Sequence, residues 1–165
     1  MKDTLDSDAM NAVHHDPHSH HDHPHDHDPH GHNLAPRFFT HAQMPRHMGT
    51  MEGADGRAVG VGTCGDSLEV TLRVTEGAIG DIRHRPNGCV YTVACGSAMS
   101  SLAMGRRLDE ALVLQPEDVA EELGGLPADH QHCAALAVNT LGEAIDDYYQ
   151  KVWGRPAARS GLPEK

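Results

Sequence analysis

The chain has 165 residues, which suits one domain with tails rather than two full domains. Its 13 Lys and Arg against 24 Asp and Glu give a formal charge of −11 with histidine neutral. That balance argues against nucleic acid as a partner, because phosphate binding draws its affinity from Lys and Arg. Aromatic residues make up only 4%, so the core must come from Ala, Val, Leu, Ile and Met. The acidic start MKDTLD lacks the apolar run of a secretory signal. No stretch approaches the ~20 apolar residues that a membrane-spanning helix needs. A cytoplasmic location is expected, where four cysteines read as ligands or reactive thiols rather than disulfide partners.

In chain order, residues 1–35 stand apart. Ten of the fifteen histidines fall between His14 and His32, interleaved with Asp and Pro. So few apolar side chains cannot offset the entropy of ordering, and a disordered tail is expected. It either captures divalent metals weakly at many alternative sites or serves as an inert solubilising segment. Residues 36–153 form the expected domain, and the polar run 154–165 an expected flexible end. Within the domain, Arg57–Val61 can supply one strand. Leu68, Val70, Leu72 and Val74 alternate with polar residues, the period of a half-buried strand. Glu76-Gly77 offers a turn, and Ala78–Arg85 can return as a further strand. From Val90 the pattern becomes helical and ends at Gly105. Pro116 opens PEDVAEEL as a first-turn proline. Asp129 is the expected N-cap of a long last helix with a stripe through Leu136, Val138, Leu141, Ala144 and Ile145. Strands before helices predict an α+β class, a small three-stranded antiparallel sheet packed against helices.

Cys64 lies in Thr63-Cys64-Gly65-Asp66 before the strongest strand, Cys89 opens the helix at Val90, and Cys133 falls in the first turn of the last helix. All three sit at element ends, where side chains can converge on one edge of a sheet. The helix dipole should favour thiolate at Cys89 and Cys133, and the thiolate is both nucleophile and metal ligand. Asp66 and His132 each stand beside a cysteine and can complete a four-coordinate site. A permanent iron–sulfur site usually has four cysteines. A carboxylate or imidazole in place of one thiolate gives an exchangeable corner, as a carrier requires. The spacing alone also fits buried structural cysteines, which behave as small hydrophobes.

The local motifs go further. Pro45-Arg46-His47-Met48-Gly49 with Asp55-Gly56, the Cys64-Gly65-Asp66 triplet, Gly88-Cys89 leading to Leu108-Asp109-Glu110-Ala111, and Leu126-Pro127 running to His132-Cys133 and Leu136-Ala137 follow in order. Together they resemble the IscU/NifU N-terminal family of iron–sulfur cluster assembly scaffolds over roughly residues 38–150. The resemblance implies a sheet-and-helix fold and a transient [2Fe–2S] cluster built from iron and from sulfur delivered by a cysteine desulfurase. The cluster would be handed to apo-proteins with help from chaperones or carriers. It implies Cys64, Cys89 and Cys133 as ligands, with Asp66 and His132 beside them. Cys133 is implied as persulfide acceptor, and zinc as an occupant when iron is absent. A monomer or weak homodimer is expected, and a scaffold rather than an enzyme. Two other readings stand beside it, a zinc-bound sulfur relay and a nickel or zinc store working through the tail.

The chain departs from the family where LPPVK-x-HC reads Leu126-Pro127-Ala128-Asp129-His130-Gln131-His132-Cys133, losing the lysine that an Hsp70-type chaperone recognises. Chaperone use is therefore left open. Cys95, about 120° around the helix from Cys89, is read as structural, with a thiol that shares sulfur or oxidises as the alternative. Met44, Met48, Met51, Met99 and Met104 read as core fillers, His84 as a surface group between two arginines, and Arg106-Arg107 as solvated.

Overall fold

A computed structural model describes residues 33–154. The expectations placed on the histidine-rich tail and the C-terminal run lie outside these residues, apart from 33–35 and Gly154. Helix α1 (Pro36–Gln43) begins with a proline at its first turn and buries Phe38 and His41. Strands β1 (Gly56–Val61), β2 (Ser67–Thr75) and β3 (Ala78–Asn87) form one antiparallel sheet in the order β1-β2-β3. Glu76 and Gly77, with φ of 52° and 76°, make the two-residue hairpin turn that joins β2 to β3. Helices α2 (Val90–Ala103), α3 (Leu108–Ala111), α4 (Pro116–Glu122) and α5 (Gln131–Trp153) follow. This is the α+β architecture that the strand and helix periods predict.

The sheet buries one face against α2 and α5. Leu68, Val70, Leu72, Ile79 and Ile82 point there and are 0% exposed. Burying side chains of this size contributes about 1.5–3 kcal/mol each, which makes this face the main source of stability. α5 lies close enough to β1 that a Cβ at Gly56 or Gly60 would overlap the Ala144 carbonyl oxygen or the Thr140 hydroxyl. α2 is buried on nearly every side, and its small residues Gly96, Ser97 and Ser100 let neighbours approach.

Four expectations need correction. β2 is buried on both faces from Leu68 to Leu72, not half-buried, because it is the central strand and Glu69 lies beneath flanking arginines. Arg57 Nε and Arg85 Nη2 reach the two Glu69 carboxylate oxygens at 2.8 and 2.7 Å from β1 and β3. His84 is not a surface group: strand alternation turns it with Ile82 toward α2 while its arginine neighbours face away, leaving it 0% exposed. Met99 fills the core, but Met44 and Met48 are 69% and 45% exposed, because they lie on the irregular crossing between α1 and β1. Asp129 is not the N-cap of α5. A 3₁₀ turn, Ala128–His130, comes first, and His130 takes the cap position.

A buried polar network fastens the Pro45–Gly49 segment to α2. The Arg46 N–H donates to Ser97 Oγ at 2.8 Å, His41 Nδ1 lies 2.8 Å from the same oxygen, and His84 Nε2–H donates to the Arg46 carbonyl at 2.8 Å. Backbone bonds from Gly49 N–H to His84 O and from His84 N–H to His47 O extend β3 with this segment. The Pro-Arg-His-Met-Gly motif therefore anchors the chain; it contributes no ligand to the cysteine site.

Candidate metal centre

Three element ends meet at one end of the sheet. The turn between β1 and β2 carries Cys64 and Asp66, held by Gly62 N–H to Asp66 O at 2.8 Å and Gly65 N–H to Gly62 O at 3.0 Å. The junction of β3 and α2 carries Cys89, and the first turn of α5 carries Cys133. Cys64 and Cys89 are exposed; Cys133 is buried.

Asp66 organises the set. Its Oδ2 accepts from the Cys89 backbone N–H at 3.0 Å and from the Thr92 hydroxyl at 2.6 Å. The Thr92 bond first, then the Cys89 N–H, hold the Asp66 carboxyl below the usual carboxylate range. Thr92 is a hub, since its Oγ1 also lies 3.7 Å from Cys89 Sγ and 3.6 Å from Cys133 Sγ. Its single proton goes to the charged carboxylate, which leaves its lone pairs facing the sulfurs.

Against the expectation of a thiolate at Cys133 stands its burial. Burial pushes this thiol up to about 12. Cys95 is 0% exposed in the core, and burial raises its thiol as well, in keeping with a structural part.

Among the described residues, Cys89, His130 and Cys133 offer ligand atoms that all lie within 4.8 Å of one another. His130 was missed by sequence reasoning. Its position shows only when the fold stacks its ring on Tyr91, with centroids 3.6 Å apart and planes at 8°. His132 Nε2 approaches Cys133 Sγ at 3.5 Å, and the residue also lines a groove with Val61, Gly62, Thr63 and Leu136. Of the residues expected at the site, Asp66, Cys89 and Cys133 are linked through Thr92, and Cys64 lies on the turn that carries Asp66. His132 sits at its margin, and His130 takes the inner place.

A three-stranded antiparallel sheet backed by helices, with cysteines from three element ends gathered at one edge, defines an α+β domain built to hold a soft ligand set. The profile of the NifU-like N terminal domain matches residues 35–154, and the chain belongs to that IscU/NifU N-terminal family. It is 40% identical over 116 residues to the iron-sulfur cluster assembly scaffold protein IscU 1 of Archaeoglobus fulgidus, covering 70% of this chain and 76% of that protein. It is 35% identical over 116 residues to the scaffold protein IscU of Escherichia coli K12, covering 67% of this chain and 90% of that protein. The fold also matches the crystal structure of a nitrogen-fixing NifU-like protein (N-terminal) from Brucella abortus, with a TM-score of 0.59 and 19% identity over 72% of this chain and 95% of that one.

Proposed function

We propose that this chain is an iron–sulfur cluster assembly scaffold that holds a transient [2Fe–2S] cluster on Cys64, Cys89 and Cys133 and yields it to apo-proteins. One observation carries the reading. Three cysteines stand on separate element ends at one end of the sheet, in a chain 35–40% identical to proteins named as such scaffolds. Iron and sulfur are the cargo. Two cysteines exposed at the rim suit loading from a partner, and the incomplete thiolate set suits release.

Sulfur arrives from a cysteine desulfurase as a persulfide. In the transfer the acceptor sulfur attacks the terminal sulfur, a new S–S bond forms on Cys133, and the donor cysteine leaves as thiolate. Reducing that sulfur to sulfide takes two electrons from an external reductant. Because burial keeps Cys133 as a thiol, the step also requires that docking or iron binding uncover and deprotonate it. The chain acts as carrier rather than turnover catalyst.

Zinc is a second occupant. A cysteine–cysteine–histidine group suits that borderline ion, so a zinc-bound sulfur relay is the competing reading. Anaerobic reconstitution with iron, cysteine and a desulfurase separates the two. A labile [2Fe–2S] spectrum, weakened by each cysteine substitution and transferable to an apo-ferredoxin, is the expected result. Tightly held zinc with a persulfide and no cluster would overturn the scaffold assignment.

A further inference from the structure

We propose that His130 is a ligand of this site. It forms with Cys89 and Cys133 a three-residue grip on a borderline divalent ion such as zinc, with Cys64 as the exchangeable fourth corner. The proposal rests on the scaffold reading and deepens it by naming the ligand that the sequence left between Asp66 and His132.

The geometry favours His130 over both. Its ligand atom and the sulfurs of Cys89 and Cys133 lie within 4.8 Å of one another. Tetrahedral coordination at ordinary zinc–sulfur and zinc–nitrogen distances needs about 3.5–3.8 Å between ligands, so side-chain adjustment of about 1 Å closes the set. The imidazole is held for the task. It stacks on Tyr91, which is 6% exposed and backed in turn by the Phe38 ring at 5.0 Å. The Asp129 carboxylate stands 3.7 Å from His130 Nε2, which places negative charge beside the ring.

The alternatives are engaged elsewhere. Asp66 Oδ2 already accepts from the Cys89 N–H and from Thr92. Turning it to the ion would break a charge-assisted bond to the start of α2. His132 contacts Cys133 but is outside the mutually converging group. Cys64 is exposed on its turn, which leaves it the corner that an incoming donor can displace. On binding, the two gripping thiols each release a proton and the imidazole enters neutral.

The test uses the full-length protein and cobalt(II) as an optical probe of the zinc position. Thiolate-to-cobalt charge-transfer bands arise only where cysteine binds, so the cysteine-free histidine tail is silent, and a chelator fixes the free cobalt concentration. His130→Ala is expected to weaken cobalt binding at the thiolate site by more than the ~10-fold that loss of an outer-shell partner costs. His132→Ala, at a residue outside the converging group, should weaken it less than His130→Ala does. His130→Cys should restore affinity and add the intensity of one further thiolate, which a merely structural role would not do. The proposal is overturned if His130→Ala binds as the wild type does, or if folded His130→Cys gains no intensity. Circular dichroism checks the fold of each variant, and should His130→Ala fail to fold, the intensity of His130→Cys decides. Wild-type protein without charge-transfer bands would instead overturn the cysteine site itself.

Discussion

His84 shows how a single residue can make this fold sensitive to acid. It is fully buried, its Nε2–H bonds the Arg46 carbonyl, and burial lowers its pKa to about 4. The unfolded chain takes up that proton near pH 6.5, so stability is complete above 6.5 and falls as the pH drops toward 4. The loss approaches about 3 kcal/mol at the lower limit, at 1.36 kcal/mol per unit. His41 and His47, lowered by burial too, add in the same direction. Urea midpoints at pH 7.5 and 5.0 check this: His84→Gln should shrink the difference between them. Thr92 acts at the same scale. Thr92→Val keeps the shape but removes the 2.6 Å bond to Asp66. It should cost about 1 kcal/mol at pH 7. The folded pKa of Asp66 is depressed, so the cost should fade as acid protonates the carboxyl, which urea titration at pH 7 and pH 3 would read.

At the scale of elements, β1 and α5 form the closest junction. A methyl at Gly60 has nowhere to go except into Thr140, so Gly60→Ala should lower stability by about 1–3 kcal/mol, measured by chemical denaturation. Because α5 also carries Cys133, the same variant should hold a reconstituted cluster for a shorter time. Much at this scale was legible in the sequence. The alternation of Leu68 to Val74, the Glu76-Gly77 turn and the uninterrupted helix from Val90 announce their elements through local period and turn chemistry. α1 was not legible, since about two turns around Phe38 and His41 carry little periodicity and are stabilised by packing on α2. The depth of β2 was hidden for a similar reason, because burying Glu69 depends on arginines from two other strands. The cysteines announced themselves by motif, whereas His130 required its distant partner Tyr91 to be in place.

At the scale of the whole molecule, the proposed scaffold role and the metal capture expected of the histidine-rich segment can be tested apart. Deleting residues 1–35 should leave cluster reconstitution intact while most of the capacity for nickel or zinc disappears, as equilibrium dialysis would show. If reconstitution disappears along with that capacity, the two parts are coupled. Among the described residues no helix is long and apolar enough to cross a membrane.

The Glu69 clamp reaches further than its own face of the sheet. Arg57 and Arg85 grip one carboxylate from both neighbouring strands, so β1 and β3 are each indexed to β2. Sliding either strand by one residue would turn its side chains to the opposite face and shift its end by about 3.3 Å. That distance is most of the 4.8 Å span within which the three ligand atoms gather. Cys64 leaves the sheet at the end of β1 and Cys89 at the end of β3. An ion pair that touches no sulfur therefore serves as the ruler against which the sulfur positions are set.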